Sequence, residues 1–263
     1  MSVLTLRSLK GKIAIVTGVS RMKGIGAAIC ESLAEAGADI FFTYWSAYDE
    51  SMPWGMERNE PQLIKRKIEE LGVTCHCLEM DLSKEDAPRQ LLKTVIDTLG
   101  EPDILVNNAC YSYHSDYSSL TSEMLDRHYF INVRAPIMLS VEFANIFQKQ
   151  RGGRIIMMTS GQSLGPMPKE SAYAATKGAI EAFVKTFSVE VATKGITVNA
   201  VNPGPTDTGW MNEEIKQQLL PKFPFGRIGT PHDAARLIRF LASEEAEWIT
   251  GQVIHSEGGF IRG

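Results

Sequence analysis

What the chain has little of narrows the field first. Four cysteines in 263 residues are too few for the disulfide framework of a small secreted domain. No stretch of 18 or more apolar residues occurs, so no membrane-spanning helix is expected. The opening residues Met1–Lys10 lack the long apolar core of a signal peptide. Charge of one sign is not in excess either. The 27 basic and 31 acidic side chains leave −4, so no global field draws the protein to nucleic acid or anionic lipid. These absences predict a cytoplasmic protein with neither nucleic acid nor membrane as partner. What remains is an ordinary globular composition, 44% hydrophobic and 22% charged. A chain this long buries roughly three quarters of its unfolded surface and needs no disulfide or metal staple.

Short apolar runs alternate with longer helical patterns. Strands are predicted at Lys12–Thr17, Ile40–Tyr44, Val73–Met80, Ile104–Asn107, Arg154–Thr159, Ile196–Val201 and Gln252–His255. Helices are predicted at Gly24–Gly37, Arg58–Leu71, Ala87–Leu99, Ser122–Gln150, Ala172–Lys194 and Pro231–Leu241, with Gly37, Gly72 and Gly100 as stops. Near-continuous apolar strands between helices imply an α/β fold, a doubly wound parallel sheet with helices on both faces. With no linker, repeat or low-complexity tract, one domain over 1–263 is expected. Two stretches, Trp45–Glu57 and Asn202–Gly229, read as irregular, and long segments of that kind are usually lids or binding loops.

The turn between the first strand and the first helix reads Thr17-Gly18-Val19-Ser20-Arg21-Met22-Lys23-Gly24-Ile25-Gly26. Glycines let backbone approach a phosphate, and a helix N-terminus offers free N–H groups and partial positive charge. Three glycines in a turn mean little alone; their place between strand one and helix one gives them weight. An NAD site usually carries a carboxylate at the end of the second strand. Here Thr43, Tyr44 and Trp45 occupy that region, while Arg21 and Lys23 sit inside the turn. Missing acid and added base favour a 2′-phosphate, hence NADP(H). The alternative is that either cation is merely solvated.

Tyr173 and Lys177 stand four apart on a predicted helix and so share a face. An ammonium beside a phenol is expected to lower the tyrosine's pKa, making Tyr173 a plausible general acid. Ser160 lies thirteen residues upstream at a strand end, where parallel sheets hold their ligands. Together with the glycine turn, Asp81-Leu82, Asn107-Asn108-Ala109, Asn132, Tyr173-Ala-Ala-Thr-Lys177 and Pro203-Gly204, the chain from Lys12 to about Gly259 resembles the short-chain dehydrogenase/reductase family.

The resemblance implies a Rossmann-like fold and an oxidoreductase interconverting a carbonyl and a secondary alcohol. It implies that Tyr173 handles the substrate proton and Ser160 hydrogen-bonds the substrate oxygen. Lys177 would hold the nicotinamide ribose and tune the tyrosine, and Asn132 would support a relay water. Gly18, Ser20, Arg21, Lys23, Gly24, Ile25, Gly26 and Tyr44 would bind the cofactor from the turn and the second strand. Asp81 and Leu82 would lie by the adenine, Asn108 and Ala109 by the ribose. Pro203, Gly204, Thr206 and Thr208 would run past the nicotinamide. A homotetramer is implied as well, and the layout looks most like the 3-oxoacyl-(acyl-carrier-protein) reductase branch, with an acyl-thioester as substrate. Sugar or other alcohol dehydrogenases of the family compete with that branch. A non-catalytic cofactor sensor on the same fold is the rival from another class.

Several details stand apart from the family pattern. The turn has five residues between its first two glycines, Val19 to Lys23, where the family usually has three. Cys110 follows Asn107-Asn108-Ala109 where a glycine is usual, and it either crowds the site or is inert. Pro136 deprives the Asn132 carbonyl of its helical partner, which is either a water site or an incidental kink. Tyr111, Tyr113 and His114 read equally as substrate-site lining or polar loop. Gly161-Gln162-Ser163-Leu164-Gly165 matches a hydrolase nucleophile elbow, but Pro166 and Pro168 stand where its helix would start. Cys75-His76-Cys77 has metal-like spacing, yet a strand turns His76 away from the cysteines, so no metal site is expected.

Overall fold

The computed structural model describes residues 8–55 and 57–262; most of the N-terminal decapeptide lies outside them. Seven strands form one sheet, all parallel: β1 (Ile13–Val16), β2 (Asp39–Tyr44), β3 (Cys75–Glu79), β4 (Ile104–Asn107), β5 (Gly153–Met158), β6 (Ile196–Asn202) and β7 (Val253–His255). Their spatial order is β3-β2-β1-β4-β5-β6-β7, so the winding reverses between β1 and β4. This is a Rossmann-like doubly wound sheet.

Alternation along the strands divides the core in two. Val16, Phe42, Val106, Ile156 and Val201 face one side, where α1 (Ile25–Glu35) and α9 (Pro231–Ala242) cover them. Ile15, Phe41, Leu105, Met157 and Ala200 face the other, under α4 (Ala87–Thr98), α6 (Ala135–Ile146) and α7 (Ser171–Glu190). A strand buried on both faces reads as a continuous apolar run, as these do. Proline in the first turn starts α4, α6 and α9, as well as α3 (Glu60–Glu69). In α9 a capping box adds to it, Thr230 accepting from the backbone of Asp233 while the Asp233 carboxylate accepts from Thr230 N at 2.8 Å.

The structure differs from the sequence reading in two places. The long helix expected at Ser122–Gln150 is α5 (Ser122–Tyr129), a π-helical turn Phe130–Arg134, then α6. Pro136 cannot donate to Asn132, and the wider turn falls at that missing bond. The two irregular stretches also hold short helices, α2 (Ser46–Glu50) and α8 (Glu213–Leu219). α8 is started by the Asn212 side chain accepting from Ile215 N at 2.9 Å. No helix among the described residues is long and apolar enough to cross a membrane.

Phe143 is fully buried on α6 and stacks on Phe147 with ring centroids 5.8 Å apart. Phe143→Ala is expected to cost about 3–5 kcal/mol, read as a lower urea midpoint with unchanged slope.

Candidate active site

The crevice opens where β1 and β4 lie side by side and their connections leave in opposite directions, the usual ligand position in such a sheet. The Thr17 hydroxyl accepts from the backbone N–H groups of Asn108 and Ala109 at 3.1 and 3.0 Å. The Asn108 amide donates to the carbonyls of Thr17 and Gly18, both at 2.9 Å. These bonds draw the two loops so close that a Cβ on Gly18 would stand 2.5 Å from the Ala109 Cα. Gly18 also has φ +74°, which glycine alone adopts cheaply. A Cβ on Gly26 would stand 2.7 Å from the Gly18 carbonyl. The first helix starts at Gly24 with no side-chain cap, so its leading N–H groups are left for an anion.

A cavity of about 670 Å³ lies over this turn. The turn lines it with Gly18, Ser20, Arg21, Gly24, Ile25 and Gly26. Tyr44, Asp81 and Leu82 line it from the ends of β2 and β3, Asn108 and Ala109 from the end of β4, and Thr208 from across the cleft. Desolvation raises the Tyr44 phenol above its ordinary value, with Glu79 adding to it. Lys23 is exposed and lies along Gly209, its Cδ 3.6 Å from where a Cβ there would stand. Of the two cations in the turn, it is Arg21 that faces the cavity.

Arg21 is not free, and here the sequence reading needs correction. No acid stands at the end of β2, but α2 brings one back. Asp49 is 6% exposed, and its Oδ1 lies 3.2 Å from Arg21 Nε. The same oxygen accepts from the Trp54 indole at 3.0 Å, and the Arg21 guanidinium lies 4.8 Å from the Trp54 ring centroid. Arg21 Nη1 donates to the Thr208 carbonyl at 3.1 Å. Next to Asp49, Tyr48 exchanges hydrogen bonds with the Ser112 backbone at 3.3 and 3.4 Å. The segment thus straps across the crevice. Asp49, Tyr48 and Trp54 escaped the site-residue reading; the aromatic-rich stretch Trp45–Glu57 was their only signal.

The second group of residues lies along the start of α7. The Ser160 hydroxyl lies near enough to the Tyr173 hydroxyl to pull its pKa down. Lys177 Nζ donates to the Met158 carbonyl at 2.9 Å and lies 5.4 Å from the Tyr173 ring centroid. Lys177 was expected to lower the tyrosine's pKa. Instead desolvation pushes the phenol well above its ordinary value, with Cys110 next among the causes and Ser160 pulling back. Cys110 lines the cavity and lies near enough to Tyr173 to act on its pKa.

Asn132 sits in the π turn, buried, and its side chain is fully engaged. Its Oδ1 accepts from Tyr111 N, and its Nδ2 donates to the Tyr111 carbonyl, both at 2.7 Å. Nδ2 also reaches Thr176 Oγ1 at 3.2 Å. Asn132 therefore ties the loop after β4 to the Tyr173 helix. Of that loop's candidates, Tyr111 lines the cavity, Tyr113 is largely exposed, and His114 Nδ1 meets Glu170 Oε1 at 2.9 Å.

Pro203, Gly204 and Thr206 stay off the cavity wall. The Asn202 side chain accepts from Gly204 N at 2.9 Å and donates to Glu257 Oε2 at 2.8 Å. Arg262 holds Glu257 with both guanidinium ends at 2.5 Å. Arg262 also fills the space over Gly161, where a Cβ would collide with it. One clasp therefore supports the loop after β6 and the loop behind Ser160. Ser163 donates to the buried Glu181 at 3.2 Å and no helix follows until Ser171, so the hydrolase elbow is absent. Cys75 is buried, His76 stacks on Phe41, and no cluster of three metal-ligating groups occurs among the described residues.

A family model described as Enoyl-(Acyl carrier protein) reductase matches residues 18–261. The uncharacterized oxidoreductase YjdA of Bacillus subtilis is 54% identical over 254 residues, spanning 96% of this chain and 98% of the relative. The chain belongs to the short-chain dehydrogenase/reductase family. A short-chain dehydrogenase/reductase from Serratia marcescens superposes with TM-score 0.85 at 32% identity, over 96% of this chain and 99% of its own. The landomycin C-6 ketoreductase LanV, solved with bound NADP and rabelomycin, gives TM-score 0.82 at 33% identity, over 96% and 97%. As a member of this family, the chain is an oxidoreductase acting on carbonyl or alcohol groups.

His128, buried on α5, holds the same loop from beneath. Its Nδ1 donates to the Met124 carbonyl at 2.7 Å, its Nε2 accepts from Tyr113 N at 3.2 Å, and its ring meets Tyr111 edge-on at 4.8 Å. Only the neutral ring can accept from Tyr113. Desolvation lowers its pKa below the unfolded value, the Met124 bond partly opposing. Between the two values the unfolded chain binds the extra proton. Stability is therefore full above about pH 6.5 and falls as pH drops through the lowered folded value. Urea titrations from pH 8 to 5 are expected to show a smaller loss in His128→Gln than in the wild type.

Proposed function

We propose that the chain is an NADP(H)-dependent reductase that converts a carbonyl compound to a secondary alcohol. The observation that supports this is a cavity whose glycine turn and Arg21 suit a dinucleotide, with Cys110 of its lining acting on a Tyr173 that Ser160 also reaches. Close backbone approach at Gly18 and Gly26 and the uncapped N-terminus at Gly24 fit a pyrophosphate. Ser20 and Ile25 complete that cradle. Arg21 is the residue for the 2′-phosphate. Tyr44, Asp81 and Leu82 would border the adenine, and Asn108 and Ala109 the ribose. Thr208, with Pro203, Gly204 and Thr206 behind it, would close the nicotinamide end. The neighbour LanV, which holds NADP, supports the same assignment.

When bound, the cofactor supplies a hydride to the carbonyl carbon. The chain handles the oxygen. Ser160 and Tyr173 present two hydroxyls to one substrate oxygen. The raised phenol pKa keeps Tyr173 protonated at neutral pH, as a general acid in the reducing direction must be. As hydride reaches carbon, the Tyr173 proton passes to the alkoxide oxygen and leaves a phenolate, which the Ser160 hydroxyl and the Lys177 ammonium stabilise. Asn132 keeps the Tyr173 helix in register with the loop after β4. Substrate enters past Cys110 and Tyr111, and 3-oxoacyl thioesters are the first class to test. Exposed Leu125, Met138 and Val189 on α5, α6 and α7 suit the helix pairing of a homotetramer.

Tyr173→Phe is expected to lower kcat by about 10²–10⁴-fold while leaving NADPH affinity unchanged. Arg21→Ala should weaken NADPH and spare NADH, read by nicotinamide fluorescence. Turnover that survives Tyr173→Phe would remove the acid role. Binding of neither cofactor would favour a chain that does no chemistry.

A further inference from the structure

Arg21 is already engaged on two sides before any ligand arrives, by one ion pair and one hydrogen bond. Nε meets the Asp49 carboxylate at 3.2 Å and Nη1 meets the Thr208 carbonyl at 3.1 Å. A phosphate usually takes an arginine as a two-pronged fork, and here the Nε side of that fork already faces a carboxylate. The pair is also electrically neutral as a unit. A 2′-phosphate brings close to two negative charges. It would meet Arg21 with attraction and the buried Asp49 with repulsion, at nearly the same place. A 2′-hydroxyl suffers no such conflict, since a carboxylate can accept its proton.

We infer that Asp49 is a cofactor-selecting residue that opposes Arg21, so that the chain prefers NADPH only weakly and binds NADH well. The inference rests on the dinucleotide reading above and extends it. Asp49 is built into the site. Trp54 donates to it at 3.0 Å, and both residues line the cavity. Its place is fixed by α2 and by the neighbouring Tyr48–Ser112 bonds. It stands beyond the strand end, where an acid would ordinarily be sought.

Asp49→Asn is the discriminating variant, because Asn retains the oxygen that accepts from Trp54 and removes only the charge. Dissociation constants for NADPH and NADH would be measured by nicotinamide fluorescence. The adenosine fragments 2′,5′-ADP and 5′-AMP would be measured by calorimetry, which needs no turnover. In the wild type, NADH is expected to bind within about tenfold of NADPH. Asp49→Asn should widen the preference for NADPH about tenfold further, chiefly by tighter NADPH, and 2′,5′-ADP should follow it. An unchanged or narrowed preference in the variant would overturn the inference and leave Asp49 as a support for Arg21. Should the variant fail to fold, the wild type still decides: a preference for NADPH above about tenfold overturns the inference alone. Failure of the wild type to bind either dinucleotide would instead sink the cofactor reading, and the inference with it.

Discussion

The contact between Thr17 and the Asn108–Ala109 backbone is the constraint on which the crevice depends. Two parallel strands whose connections diverge must leave a gap, and these bonds fix its floor. Gly18 and Gly26 follow from it, since the loops approach too closely for a side chain. The N-terminus of α1 is aimed into the gap by the same turn. Everything else in the site is arranged around that floor: α2 straps it, and α7 brings Tyr173 to its far end.

The far end is organised by polar side chains that act on backbone. Asn132 spends its amide on Tyr111 and Thr176, His128 accepts from Tyr113, and Asn202 serves Gly204 and Glu257. Buried polar groups are costly unless satisfied, and each of these is satisfied by a loop that flanks the site. Loop conformation and buried hydrogen bonding are thus the same thing here. The raised pKa of the half-buried Tyr173 belongs with these, since partial desolvation favours its neutral form.

Much of this was legible in the sequence. The seven apolar runs became the seven strands, because residues buried on both sides of a sheet leave no other pattern. Glycine spacing placed the turn, and Pro136 marked the break that became a π turn. Ser160 and Tyr173 proved to be neighbours despite their separation in sequence. The surroundings of Arg21 were only half legible. Its partner Asp49 lies in a stretch with no periodicity, where a five-residue helix is set by tertiary contacts with Trp54 and Tyr48. The pKa of Tyr173 was misjudged for a related reason. Helical spacing predicts a neighbouring ammonium, but not how much water the surrounding loops remove.

The clasp of Asn202, Glu257 and Arg262 has a consequence for how the molecule fails. Arg262 rests on the loop behind Ser160, and Glu257 on the loop that carries Gly204. Neither contact belongs to the two apolar cores that hold the sheet together. A protease nick between Glu257 and Arg262 would therefore release both loops while the seven strands stayed folded. Damage there would leave the strand and helix content seen by circular dichroism in place while the site slackened.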